Sequence, residues 1–189
     1  MSGDAPEVDP WAATDVALTA WATMTAREDA DLASADAAGE VKVELREITS
    51  DTVRAICRLA VAPSQARFVA PNAVSFAEAL FEPKAWYRAI FAGDVPVGFA
   101  MLSIDTETPT YYLWRLMIAD GHQQHGYGRA AVAAIVEHVR TLPNATELLV
   151  SWVPAPGGPE PFYLGLGFSP TGEVHEGEVE ARLRLTKPG

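Results

Sequence analysis

The sequence predicts an α/β (α+β) protein built on one mixed, mostly antiparallel sheet, and three observations carry that expectation. A hairpin signal comes first: the strand-like runs Trp86 to Phe91 and Val97 to Ile104 flank Gly93-Asp94. The apolar strand Tyr111 to Ile118 then runs through a glycine loop into a helix and on to another strand, Leu148 to Val153. Finally, the chain ends on a cleanly alternating segment, with Val179, Ala181, Leu183 and Leu185 on one face and Glu178, Glu180, Arg182 and Arg184 on the other. That pattern fits a half-exposed antiparallel strand.

The remaining elements follow in order. Val41-x-Val43-x-Leu45 alternates as a strand, and Thr49-Ser50-Asp51 can cap a helix carrying Val53, Ile56 and Leu59. Ser75 to Phe81 reads as a short helix stopped by Pro83. Ala130 to Arg140 is a helix with Val132, Ile135, Val136 and Val139 apolar, ended by Pro143.

At 189 residues, 49% of them hydrophobic, the chain can bury one substantial core. Residues 1–40 hold nine acids against Arg27 alone, which places −8 of the formal −11 in that stretch. The composition shift after Ala37-Ala38-Gly39 divides an acidic, Ala-rich extension (1–40) from the patterned domain (41–189). Asp9-Pro10 reads as a helix start, with Trp11, Leu18 and Trp21 on one face, able to rest on the domain or on a second subunit of a homodimer. The acidity argues against a nucleic-acid partner. No apolar run approaches the roughly 18 residues of a membrane span, and the start lacks the regions of a signal peptide, so a cytoplasmic protein without a membrane partner is expected. The lone Cys57 sits in a helical apolar pattern and reads as a small buried hydrophobe.

One stretch announces chemistry: Gln123-Gln124-His125-Gly126-Tyr127-Gly128-Arg129, between the strand and the helix. Glycines one residue apart at a helix start let backbone N–H groups approach an anion, which the helix N-terminus attracts. A pyrophosphate cradle is the natural reading. Gly126-x-Gly128-x-x-Ala131 also satisfies a dinucleotide fingerprint, but Glu147 would enter the following strand where the ribose-binding acid must leave it. His122 and His125 have no carboxylate or cysteine cluster beside them, so no metal is expected.

Gln123-x-x-Gly126-x-Gly128 resembles the Gln/Arg-x-x-Gly-x-Gly/Ala signature of the GCN5-related N-acetyltransferases (GNAT). Phe162-Tyr163-Leu164-Gly165-Leu166-Gly167-Phe168 resembles that family's Phe-Tyr-x-x-x-Gly-Phe segment. The likeness covers about residues 41 to 186. It looks closest to the spermine/spermidine acetyltransferase branch, through Gln65-x-x-Phe68-Val69-Ala70-x-Asn72-Ala73-x-Ser75-x-Ala77-Glu78-Ala79 and Val97-Gly98-Phe99-Ala100-Met101. The resemblance implies a GNAT fold, with helices on both faces of the sheet and the strand ending at Leu116-Met117-Ile118 splayed from the one near Leu148. It implies acetyl-coenzyme A as co-substrate, held by that strand and by Gln123 to Arg129, and Tyr163 as proton donor to the departing thiolate.

A small-molecule primary amine is the implied acceptor, a polyamine by branch. Phe68, Asn72, Glu78 and Trp114 are candidate pocket residues, and the amine proton leaves either through water or to a nearby Glu78, Glu82, Asp105 or Glu107. Two other readings use the same residues: a drug- or aminoglycoside-modifying acetyltransferase, and a coenzyme A-binding module without turnover. The chain departs from the family pattern before Phe162, where Pro154-Ala155-Pro156-Gly157-Gly158-Pro159-Glu160-Pro161 stands in place of an asparagine and an alanine.

Overall fold

The computed structural model describes residues 41–185. The expectations for residues 1–40, including the helix with Trp11, Leu18 and Trp21, lie outside them. Seven strands and four α-helices alternate in the order β1 (Glu44–Arg46), α1 (Val53–Arg58), α2 (Asn72–Ala79), β2 (Ala85–Ala92), β3 (Val95–Asp105), β4 (Thr110–Ile118), α3 (Tyr127–Arg140), β5 (Glu147–Trp152), α4 (Glu160–Gly165), β6 (Ser169–His175) and β7 (Glu178–Arg184). The strands form one sheet in the order β1-β2-β3-β4-β5-β7-β6. Every pair is antiparallel except β4 with β5. The helix between those two strands supplies the long crossover a parallel pair requires.

Side chains alternate across the strands into two cores. Ile90, Ala100, Leu113, Leu148, Val150 and Ala181 pack with Ile135 and Val139 of α3 on one face. Ala89, Phe91, Phe99, Met101 and Met117 pack with Ile56 of α1 and Phe76 of α2 on the other. Helix α3 is anchored by Ala131, Val132, Ile135, Val136 and Val139, an apolar stripe at helical spacing. Six-residue helices such as α1 and α4 owe their stability to tertiary packing, because so few turns do not sustain a helix in water.

Several boundaries differ from expectation. Helix α2 begins at Asn72, directly after Pro71, rather than at Ser75. The expected cap of α1 is replaced by Thr52 at the N-cap position, whose hydroxyl accepts the Thr49 N–H (2.9 Å) instead of capping the helix. Helix α3 starts at Tyr127, three residues before the expected Ala130, inside the glycine loop. The β6–β7 hairpin has no counterpart in the sequence reading, which assigned only the second of its strands. The expected Gly93-Asp94 turn is present: Ala92 faces Val95 and Gly93 takes φ +59°, the positive first angle that a two-residue hairpin asks of a glycine. Cys57 is free and half-buried.

Candidate active site

The site grows from an interruption in the sheet. Strands β4 and β5 pair only at Tyr112 with Leu149 and Leu113 with Val150, after which they part. At that point β4 carries a bulge: Met101 faces Arg115 and Leu102 faces Leu113, leaving Trp114 as the extra residue. Bulges bend and re-aim a strand. From Arg115 to Ile118, β4 pairs with β3 on one side only, so its other backbone edge lines a wedge-shaped cleft.

This cleft has a volume of about 1100 Å³. At one end lies the glycine loop. Gly126 occupies the N-cap of α3 at φ +73°, a left-handed conformation cheap for glycine. Gln124 is also left-handed, at φ +65°, which costs a non-glycine residue on the order of 1 kcal/mol or more. Ala130 N is the first to reach back into the helix start, to Gly126 O at 3.0 Å. The N–H groups of Tyr127, Gly128 and Arg129 therefore have no carbonyl one turn back in α3. A Cβ on Gly128 would lie 3.3 Å from the Phe162 ring, so glycine keeps this approach open.

The loop is braced from within. The Gln123 side-chain amide donates to Ile118 O (2.9 Å) and to Gln65 Oε1 (2.8 Å), joining the loop to the end of β4 and to the segment before α2. His125 Nδ1 contacts Gln123 O at 2.6 Å, and its ring stacks on Tyr127. Across the cleft, the Arg67 guanidinium lies over the Phe68 ring and donates to Pro156 O (2.7 Å), tying that segment to the proline-rich loop before α4. Pro159 and Pro161 stand at the start of α4, where a missing N–H costs no helical hydrogen bond.

A model of the family described as Acetyltransferase (GNAT) family matches residues 54–168, more than half of the chain. The chain belongs to the GNAT acetyltransferase family. A search of the curated proteins finds no match. Solved structures similar to this chain include a spermidine N-acetyltransferase from Vibrio cholerae in complex with CoA and spermine, at 15% identity and TM-score 0.60, covering 78% of this chain and 98% of that one. An N-acetylglutamate synthase from Neisseria gonorrhoeae complexed with coenzyme A and N-acetyl-glutamate is similar at 17% identity and TM-score 0.60, over 78% of this chain and 36% of that one. The PaiA N-acetyltransferase from Thermoplasma acidophilum in complex with coenzyme A is similar at 12% identity and TM-score 0.57, over 76% of this chain and 99% of that one. At these identities the likeness establishes a shared fold, the GNAT fold. Acetyl-CoA-dependent N-acetyl transfer is the chemistry of the family.

Within this GNAT frame, Leu116, Met117, Ile118, Gln123, Gln124, Tyr127 and Gly128 line the cleft, with Phe68, Trp114 and Tyr163. His125, Gly126 and Arg129 belong to the loop but not to the lining, and the Arg129 side chain is exposed. Tyr163 is only 7% exposed, stacked on Trp152 and edged by Phe162 and Phe168. Burial pushes its phenol well above the ordinary value, so it stays protonated at any working pH.

Two expected pocket residues lie elsewhere. Asn72, 1% exposed, donates to Ile56 O (2.8 Å) and so satisfies the backbone of α1 within the core. Glu78 stands behind the lining, paired with Arg115 at 3.2 Å. None of the four carboxylates expected as bases reaches the cleft. Asp105 lies on a hairpin, where the Lys84 ammonium (2.6 Å) and the Thr108 hydroxyl hold its carboxyl far below the usual range.

The carboxylates that do line the cleft are Glu176, Glu178 and Glu180, beside His175, Ser151 and Tyr112. Alternation along the last strand puts Glu178 and Glu180 on a solvent face. The β6–β7 hairpin and the departure of β4 turn that face into a cleft wall. The one available signal was Ser151, a polar residue interrupting the apolar run Leu148-Leu149-Val150. Among the described residues there is no cluster of three or more potential metal ligands, and no helix is long and apolar enough to cross a membrane.

Proposed function

We propose that this protein acetylates a primary amine of a small cationic substrate, of the polyamine class, and that the cleft holds the two substrates at opposite ends. The observation that carries the substrate class is the charge of the second end. Three carboxylates line it, whereas the two arginines in the lining are already engaged, Arg67 with Pro156 O and Arg115 with Glu78 and Trp114 O. An ammonium has a pKa of about 10.4 and arrives charged, so a carboxylate wall with an aromatic floor of Phe68 and Trp114 suits it. The similar Vibrio cholerae protein, crystallised with spermine, points the same way.

At the first end, the free N–H groups of the α3 start would hold the pyrophosphate of acetyl-CoA, with Arg129 available to pair with phosphate from outside. The strained Gln124 backbone supports a functional loop. The open edge of β4, Leu116 to Ile118, would take the pantetheine amides as a sheet edge takes a strand. Acetyl-CoA supplies an activated acetyl thioester, and direct attack by the amine requires no covalent enzyme intermediate. A backbone N–H near Met117 or Ile118 is suited to polarising the thioester carbonyl. Tyr163, protonated and at the edge of the cleft, is suited to returning a proton to the thiolate. The lone free cysteine, Cys57, is compatible with a reducing compartment such as the cytoplasm.

The test is thiol release from acetyl-CoA with spermidine, spermine, aminoglycosides, amino acids and peptides. Turnover confined to polycationic amines supports the reading, and turnover confined to anionic acceptors overturns it.

A further inference from the structure

An ammonium cannot attack a thioester until it loses a proton, and the cleft contains a connected route for it. Ser151 is the first residue of β5 beyond Val150, the last to pair with β4, so it stands at the throat where the two strands part. Its hydroxyl donates to the Glu178 carboxylate on β7. The Tyr112 phenol of β4 lines the cleft beside it; burial pushes that phenol up, the neighbouring Ser151 hydroxyl pulls it down, and the negative charges of Glu178 and Glu180 push it up. A hydroxyl accepts twice and donates once. With its donor used on Glu178, Ser151 Oγ faces the cleft as an acceptor, and the only hydrogen it can lose leads to a carboxylate.

We propose that Ser151 and Glu178 form the deprotonation relay for the attacking amine, with Tyr112, beside the serine on β4, as a positioning residue. This rests on the amine-acetylation reading above. One ammonium proton passes to Ser151 Oγ as the serine hydrogen passes to Glu178 Oε2. The freed nitrogen lone pair attacks the acetyl carbonyl carbon, and the carbon–sulfur bond breaks. Tyr163 protonates the departing thiolate, and the second nitrogen proton, shed by the adduct, restores the Tyr163 phenol. Net, R–NH3+ and acetyl-CoA give R–NH–acetyl, CoA–SH and one proton. Half-buried Glu178, near the end of a hairpin, can release that proton to solvent.

The neighbours match this assignment. Glu180 is engaged with the Thr171 hydroxyl at 3.0 Å. Glu176 and His175 lie farther along the turn, and Arg115 is held by Glu78 on the opposite wall. Glu178 is therefore the cleft carboxylate bonded to a group at the throat.

The experiment measures kcat and KM for spermidine from pH 6 to pH 9.5 in wild type, Glu178→Gln, Ser151→Ala, Ser151→Thr and Tyr112→Phe, with acetyl-CoA affinity of each variant measured by calorimetry. The relay requires kcat at pH 7 to fall at least tenfold in Glu178→Gln and Ser151→Ala, with acetyl-CoA affinity within twofold. It also requires the deficit to shrink about tenfold or more by pH 9.5, as the free amine itself becomes available near its pKa of about 10.4. Ser151→Thr, which keeps a hydroxyl on a strand, must restore most of the rate, and Tyr112→Phe must lower kcat by a smaller factor. A Glu178→Gln variant that raises only the KM for spermidine makes that carboxylate a cation anchor and overturns the relay while leaving amine acetylation intact. A deficit independent of pH, or one that Ser151→Thr does not repair, also overturns it. Absence of wild-type turnover with every amine overturns the relay and the function together.

Discussion

The two ends of the cleft are built from different materials. At the α3 end the groups on offer are backbone: N–H groups of a helix start, a left-handed Gly126 and Gln124, and the unpaired edge of β4. At the β7 end they are side chains: Tyr112, Ser151, Glu178 and Glu180, carried on three strands. Backbone recognition suits a chemically constant co-substrate, since peptide groups offer one kind of donor. Side-chain recognition suits the acceptor, because each position can change without disturbing the fold. Substitutions at the two ends should therefore separate cleanly in their kinetics.

The largest effect is expected at Tyr163, the proposed proton donor. Tyr163→Phe should lower kcat by about 10² to 10⁴-fold, the range for loss of a general acid, with calorimetric acetyl-CoA affinity within twofold. An unchanged kcat would remove Tyr163 from the chemistry. Next, Gly128→Val adds branches that meet the Phe162 ring, already 3.3 Å from an ideal Cβ. It should raise the KM for acetyl-CoA by about tenfold or more, equivalent to about 1.4 kcal/mol, and leave the KM for spermidine within twofold. Equal effects on both substrates would erase the distinction between the ends.

Glu180→Gln removes a cleft charge outside the relay and should raise the KM for spermidine by about threefold to tenfold at low salt. The difference should narrow toward 0.5 M salt as screening replaces the lost attraction. Arg67→Ala breaks the tie to Pro156 O and should raise the KM for spermidine by up to about fivefold, in line with about 1 kcal/mol for a net hydrogen bond.

The smallest effect concerns stability and keeps the pH profiles interpretable. His138 stacks on Trp86 with its Nε2 buried and unpaired, and burial, aided by the nearby Arg88 charge, lowers its pKa below 6.5. The folded protein prefers the neutral ring. That contribution is complete above the unfolded pKa of about 6.5 and is lost as pH falls below it toward the folded value. The Tm should fall slightly from pH 7.5 to pH 5.5, and less so in His138→Gln, as checked by calorimetric scans. The relay comparison between pH 7 and pH 9.5 lies above that window.

The same contrast decides what can be read from the sequence. The loop is visible in Gly126, which takes φ above zero, in Gly128, where the Phe162 ring leaves little room for a Cβ, and in Gln123, whose amide braces the loop. The Phe162 to Phe168 segment is visible for its packing, since Tyr163 is enclosed by Trp152, Phe162 and Phe168. Strands β2 to β5 and the last strand show their apolar periodicity directly. The acidic end is hidden because alternation along β7 gives the same pattern whether Glu178 and Glu180 face water or a cleft. Their setting depends on where β4 and β5 part, and on the Trp114 bulge, which leaves no local mark. Strand β6 is masked by Pro170, Gly172 and four polar positions, and it is formed by pairing with β7. Asn72 shows the opposite error: a polar residue that looks like a ligand in sequence spends its amide on Ile56 O.

The most direct test of this division is a steady-state comparison of thiol release from acetyl-CoA with spermidine and with glutamate as acceptors, at 0.05 M and 0.5 M salt. The account predicts turnover with spermidine, a KM for spermidine that rises with salt, and no turnover with glutamate. Turnover with glutamate in preference to spermidine, or a spermidine KM indifferent to salt, would contradict it.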